Sequence, residues 1–185
     1  MIILGLVGEM GAGKSTVGSY LVTKYGAQRF GFSVILRDLV ERLHLPASRD
    51  NLIQISIVLR QEFGNDLLAK AMLEDIKQST AELIVVESIR REDDIVYLRQ
   101  LPGFHLVGIS AAMNERYQRL SGRAEKSDDA HKTYEQFKSD HQRETEATVP
   151  PLLATAEHQL HNDGGLDDLY VQVDHLLQEI ETKNI

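Results

Sequence analysis

Apolar residues fall along the chain in two rhythms: short unbroken runs, and longer stretches that repeat every three or four positions. Ile2-Ile3-Leu4-Gly5-Leu6-Val7 is a run of the first kind, as expected of a strand covered on both faces. Val17, Tyr20, Leu21 and Val22 then recur at helical spacing to about Lys24, and Gly26 supplies a left-handed stop. Arg29 to Phe32 reads as a short second strand. Ser33 suits the N-cap of a helix carrying Ile35, Leu36, Leu39, Val40 and Leu43, with Pro46 closing that region. Two more helices follow with no strand between them, about Asn51 to Phe63 before Gly64, and Asp66 to Gln78 with Asp66 as cap. Together they make an insertion between strands two and three.

Glu82 to Glu87 is apolar through its middle and ends on an acid, the signature of a buried parallel strand. Asp93 to Leu101 is helical, Pro102-Gly103 turns, and Phe104 to Ile109 is the fourth strand. Asn114 to Ser121 forms a helix, and Gly122 to Ala130 is polar and turn-rich, a loop or lid. Tyr134 to Thr148 predicts a charged helix stopped by Pro150-Pro151, followed by a short helical piece and a fifth strand, His158 to His161. The turn Asn162-Asp163-Gly164-Gly165 leads into a last helix, Leu166 to about Glu181, with Leu169, Val173, Leu176, Leu177 and Ile180 as its buried stripe. Strands alternating with helices predict an α/β fold, a parallel sheet of about five strands with helices on both faces. Ligands in such folds sit at the carboxyl ends of the strands.

The first strand-to-helix junction carries chemistry. Gly8-Glu9-Met10-Gly11-Ala12-Gly13-Lys14-Ser15-Thr16 matches the phosphate-binding loop G-x-x-x-x-G-K-[ST], in the strand-loop-helix context the motif requires. Glycines at 8, 11 and 13 let the backbone turn tightly and present N–H groups at a helix N-terminus. Lys14 then reaches the β- and γ-phosphates of ATP, Ser15 takes a Mg²⁺ ligand position, and Thr16 adds an oxygen near the α-phosphate.

Composition narrows the partners. The 185 residues fit one domain, 1–185, and carry a net charge of −8 at a pI near 5.3, which argues against a grip on long nucleic acid. The chain contains no cysteine, so it has neither disulfides nor thiolate metal ligands, a composition compatible with the cytosol. The opening apolar run is too short for a signal peptide or membrane span and is already used as a strand.

Arg116, Arg119 and Arg123 lie three and four apart and share one helical face. Such a stripe can clamp a transferring phosphoryl group; the competing account is a solvated face paired with Glu115, Asp128 and Asp129. Arg37 and Arg60 in the insertion and Arg90 after strand three are candidate contacts for a second phosphate, against surface salt bridges. Glu87 is the candidate carboxylate for anchoring Mg²⁺ or orienting the attacking group, against a solvated strand end. The seven histidines show no ligand spacing; His158 and His161 read as surface residues. The guanine-specifying N-K-x-D and the switch D-x-x-G do not occur, and Leu120-Ser121-Gly122 lacks the second glycine of a transporter-ATPase signature.

With these residues the chain resembles the P-loop kinases of small metabolites, the nucleoside monophosphate and dephospho-CoA kinases, and looks closest to a branch related to them. The resemblance runs from GEMGAGKST through FSVILRDL, LRQEFGNDLLAKA, VVESIRREDDIVYLR, RYQRLSGR, KSDD and DHQRE to HNDGGLDDL. It implies a three-layer P-loop kinase fold with an acceptor-binding insertion at about 33–79 and a lid at about 116–133. It assigns Ser33 and Arg37 to the acceptor helix, Arg90 to the acceptor phosphate, Arg119 and Arg123 to the lid, and Asn162 to Gly165, Gly164 included, to the loop near adenine. Many relatives end strand three on aspartate and glycine; this chain has Glu87 and Ser88. The expectation is a Mg²⁺-dependent kinase moving the γ-phosphoryl of ATP to a nucleoside or deoxynucleoside monophosphate. Dephospho-CoA is the second acceptor, and an ATP-binding switch with little turnover is the reading from another class.

Overall fold

A strand buried on both faces needs apolar side chains at every position, and β1 (Ile2–Val7) has them, five of its six residues being buried. In the computed structural model, which describes residues 1–122, 133–140 and 147–183, β1 is the middle of a five-stranded parallel sheet. The strand order is β2 (Gln28–Gly31), β3 (Leu83–Glu87), β1, β4 (Phe104–Ser110), β5 (His158–His161). Alternation along β1 sends Ile3 and Val7 into one core layer and Leu4 and Leu6 into the other.

The layer holding Leu4 and Leu6 is closed by α1 (Lys14–Tyr25) and the last helix, α9 (Leu166–Lys183), through Val17, Leu21, Leu169, Val173 and Leu177. The opposite layer is closed by the insertion helices α2 (Phe32–Arg42), α3 (Arg49–Phe63) and α4 (Leu67–Lys77), with help from α5 (Glu92–Ile95), a 3₁₀ turn (Leu98–Gln100) and α8 (Val149–Ala154). Between β4 and α8 lie α6 (Met113–Ser121) and α7 (Tyr134–Asp140). No helix among the described residues is long and apolar enough to cross a membrane.

Most element types follow the sequence pattern, but the helix expected over Asp93–Leu101 divides into the four-residue α5 and a separate 3₁₀ turn, and several junctions differ. Ser33 is not an N-cap: α2 already begins at Phe32 with Gly31 before it, and the Ser33 hydroxyl is used elsewhere. The cap of α3 is Ser48, whose oxygen accepts from the Asn51 N–H at 3.2 Å, so that helix starts earlier than its apolar rhythm suggested. Asp66 precedes α4 without capping it, because its carboxylate accepts from Tyr97 and pairs with Lys70. Pro150 and Pro151 sit in the first turn of α8, where N–H groups have no intrahelical partner to lose. Of the charged helix expected at 134–148, the stretch 141–146 lies outside the described residues, as does the part of the expected lid from 123 to 132.

A polar clasp joins α1 to α9 on the outer surface. Tyr20 stacks on Tyr170 with centroids 4.0 Å apart, and Asp174 accepts from Tyr20, Tyr25 and Lys24 at 2.8, 2.6 and 2.8 Å. Burial pushes the Asp174 carboxyl up, but these hydrogen bonds outweigh it and hold the group down at about 2. A carboxyl depressed on folding stabilises the protein above its unfolded pKa and ceases to do so as the pH falls through its folded value. Asp174→Asn is therefore expected to lower the urea midpoint at neutral pH. That deficit shrinks as the pH is taken below 3.8 toward 2, measured as paired denaturation curves across that window.

Candidate functional site

The loop between β1 and α1 is held from three sides. Gly13 precedes α1 at φ 108°, a left-handed conformation that favours glycine, and a Cβ there would also overlap the Asn162 amide. That amide donates to Ala12 O at 2.9 Å, while the Asn162 backbone N–H donates to Ser110 O at 2.8 Å. Asn162 is thus a buried peg between the loop and the β4–β5 edge, 5% exposed. Gly164 lies beyond it, exposed, next to the Asp168 carboxylate.

Arg116 braces the other side. Its guanidinium pairs with Glu9 Oε1 at 3.1 Å, donates to Ala111 O and Met10 O at 3.0 and 3.4 Å, and lies over the Phe137 ring. At 3% exposure it is a strut under the loop, so the expected arginine stripe is divided between interior and surface. Lys14 is half-buried rather than exposed: its ammonium folds back onto Gly8 O and Glu9 O at 2.6 and 3.0 Å. The N-cap residue of α1 is Gly13, which brings no side chain of its own, and no acid occupies the first turn. The N–H groups there face the cleft with the helix's partial positive charge behind them, an arrangement that binds anions.

That cleft is lined by Gly11, Gly13, Lys14, Ser15, Glu87 and Ser88. The Ser15 hydroxyl is exposed and Thr16 is half-buried. Glu87 reaches across to α1, where Gly18 leaves room for it; a Cβ at Gly18 would overlap Glu87 Oε1. Arg29 stands 3.6 Å away on the neighbouring strand, yet Oε1 has no hydrogen-bond partner. Burial pushes the Glu87 carboxyl above the ordinary carboxylate range, against the opposing pull of the Arg29 and Lys14 charges. A buried, incompletely paired carboxylate oxygen beside a lysine and a serine hydroxyl is a donor set suited to a Mg²⁺ and its waters.

Ser88 has φ 65°, a left-handed conformation that costs a side-chain-bearing residue about 1–3 kcal/mol. Its hydroxyl meets that of Ser33 at 3.2 Å, so the strained residue ties the insertion to the cleft floor. Past it, Asp94 organises the strand-three loop. One carboxylate oxygen accepts from the N–H groups of Arg90 and Arg91 at 2.9 and 3.0 Å; the other takes Arg60 at 2.6 Å. Arg60 also donates to Asn65 O. Arg60 and Asp94 are 9% and 2% exposed, so Arg60 is a buried link between α3 and the Arg90 loop rather than an open contact for phosphate. Arg37 is exposed on α2. Arg119 lies 3.9 Å from Glu115 and keeps Nη1 buried without a hydrogen-bond partner among the described residues; Arg123 lies outside the described residues. Asp94, Arg29 and Gly18 went unremarked in the sequence, where only a glycine inside a helical pattern gave any signal.

A family model described as an AAA domain matches residues 4–146. A UPF0200 protein of Methanocaldococcus jannaschii, whose name states no activity, is 29% identical over 97% of this chain and 91% of its own length. Among solved structures, shikimate kinase from Bacteroides thetaiotaomicron superposes at a TM-score of 0.66, with 16% identity over 97% and 98% of the two chains. A gluconokinase from Sinorhizobium meliloti gives 0.60, with 14% identity over 100% and 98%. At such identities the likeness is one of fold, that of the P-loop kinases.

Two substitutions test these contacts. Asp94→Ala strands the Arg60 charge in the interior and is expected to cost about 3–5 kcal/mol in denaturant unfolding. Gly18→Ala should by helix propensity alone stabilise the protein by about 1 kcal/mol. Overlap with Glu87 reverses the sign, and adding Glu87→Ala to Gly18→Ala restores the stability, read as a double-mutant cycle.

Proposed function

The chain belongs to the AAA domain family, and on that premise we propose that it is an ATP-dependent phosphotransferase acting on a small phosphorylated acceptor, a nucleoside or deoxynucleoside monophosphate. The observation that supports this reading is a shared wall. Ser88 lines the cleft with Lys14 and Ser15 and touches Ser33 of the insertion, so phosphate loop and insertion border one cavity. A protein that only senses ATP needs the first and not the second.

In this reading the chain is a single kinase domain with its acceptor insertion at 33–79 and lid at 116–133. The N–H groups at the start of α1 and the Lys14 ammonium hold the β- and γ-phosphates, Lys14 exchanging its bonds to Gly8 O and Glu9 O for phosphate oxygens. Ser15 and Glu87 hold Mg²⁺, which neutralises charge on those phosphates. Ser33, Arg37 and Arg90 orient the acceptor, with Arg60 acting through Asp94 to set the Arg90 loop. The acceptor's phosphate oxygen is ionised at neutral pH and attacks without a general base. Its new bond to the γ-phosphorus forms as the bridge to the β-phosphate breaks, and ADP leaves. Arg119 and Arg123 meet the charge on the transferring group, while Arg116 supports the loop from beneath.

Lys14→Ala is expected to remove most ATP affinity by calorimetry, with a small loss of stability because the lysine also ties the loop carbonyls. Unchanged binding would remove the P-loop assignment. Arg119→Ala should lower kcat by on the order of 10³-fold with little change in KM for ATP. An ADP-release screen over nucleoside monophosphates and dephospho-CoA identifies the acceptor. Two nucleosides joined by five phosphates should bind far more tightly than ATP, through effective concentration, and Arg37→Ala should erase that advantage alone. If the mimic binds no better than ATP, the monophosphate acceptor is wrong.

A further inference from the structure

Away from the cleft, at the amino-terminal edge of the sheet, three side chains distant in sequence converge. In register His105 stands beside Leu4 of β1, four residues before Gly8, or about 13 Å along the strand. His158, the first residue of β5, pairs with Val107, so strand alternation puts His105 and His158 on the same face, the one covered by α1 and α9. Their rings lie 5.5 Å apart. Glu157 is fixed beside them by its N–H, which donates to Leu106 O at 3.1 Å. One ligand atom from each of His105, Glu157 and His158 can be chosen so that all lie within 4.8 Å of one another.

Hydrogen bonding does not account for this cluster. His105 Nδ1 stands 3.7 Å from Glu157 Oε2, beyond hydrogen-bond reach, and His105 Nε2 is buried with no hydrogen-bond partner among the described residues. Two ligand atoms each about 2.1 Å from one tetrahedral ion stand roughly 3.4 Å apart, so the spacing suits two ligands of a shared cation better than a donor and its acceptor. Arg99 Nη1 lies 4.0 Å from the other oxygen, Glu157 Oε1. It leaves Oε2 turned toward the imidazoles, as outer groups do in orienting metal-binding carboxylates.

We propose that His105, Glu157 and His158 form a binding site for a first-row divalent cation of the zinc class. Two imidazoles and one carboxylate select Zn²⁺, Co²⁺ or Ni²⁺ over Mg²⁺, which prefers an all-oxygen shell. The site is therefore chemically distinct from the phosphate cleft. Three protein ligands leave a coordination position for water, and an ion here staples the start of β4 to the α8–β5 connection. Because ligands from separate segments are gathered only in the folded chain, binding adds to folding stability.

The test uses the full chain after chelator treatment, without nucleotide. Co²⁺ titration is followed by its visible absorption, and Zn²⁺ affinity by competition with a chromogenic chelator. One equivalent should bind per chain with a rise in Tm. His158→Ala at a half-buried position and Glu157→Gln at an exposed one should each weaken binding about tenfold or more, while circular dichroism confirms their fold. Lys14→Ala should bind the metal as the unmutated chain does. The absence of saturable one-to-one binding, or binding that survives both substitutions together, overturns the proposal, as does binding lost with Lys14→Ala.

Discussion

The proposed phosphate site sets one demand on the structure: the first turn of α1 has to stay open to an anion and yet not move. Its N–H groups cannot be capped by the protein without closing the site, so the loop is stiffened from behind. Asn162 pegs it to the β4–β5 edge and Arg116, anchored on Ala111 O, braces its rim through Glu9 and Met10. Both supports are polar side chains buried to about 5% exposure or less. Burying them is costly unless they are hydrogen-bonded, and the partners they find include the loop's own carbonyls and carboxylate.

The same logic governs the opposite wall. Glu87 sits where an apolar side chain would pack better, and the molecule accommodates it with a glycine inside α1 and an arginine on β2. Neither fully satisfies Oε1, and the strained Ser88 follows directly. Adjacent residues that both run against stability are what a site holds when its geometry is set by a ligand rather than by packing. Where a glycine would relieve the backbone at 88, the serine hydroxyl supplies a link to Ser33 that glycine could not.

Periodicity and local turn chemistry carried most of the fold. All five strands and the order of helices were legible because each buried face leaves a repeating apolar pattern over several residues. Junctions were less so, since Ser33 and Asp66 look like caps until their side chains are drawn into contacts with Ser88 and Tyr97. The phosphate loop was legible because its residues are contiguous. Arg60, Arg90 and Arg116 were visible only as cations. Whether a guanidinium faces a cleft or a buried carboxylate depends on Asp94 and Glu9, which lie 34 and 107 positions away from Arg60 and Arg116 and signal nothing locally. His105 and His158 show the same limit, being joined by strand register alone.

Sorting the arginines changes how a chain of net charge −8 can attract polyanions at all. Arg60 and Arg116 are each matched to a carboxylate in the interior and lend little field to the cleft. At physiological salt, charges more than about 8 Å apart in solvent are largely screened, so the acidic surface repels an approaching nucleotide only weakly at distance. Close in, the balance belongs to what faces the cavity: the α1 dipole and Lys14, against the single carboxylate of Glu87. Burial holds that carboxyl toward its neutral form and Arg29 and Lys14 toward its charged one; in the proposed reaction a cation arriving with the phosphates would shift it further toward ionisation. Attraction here is a property of a few groups within one Debye length, assembled inside a chain whose overall charge has the opposite preference.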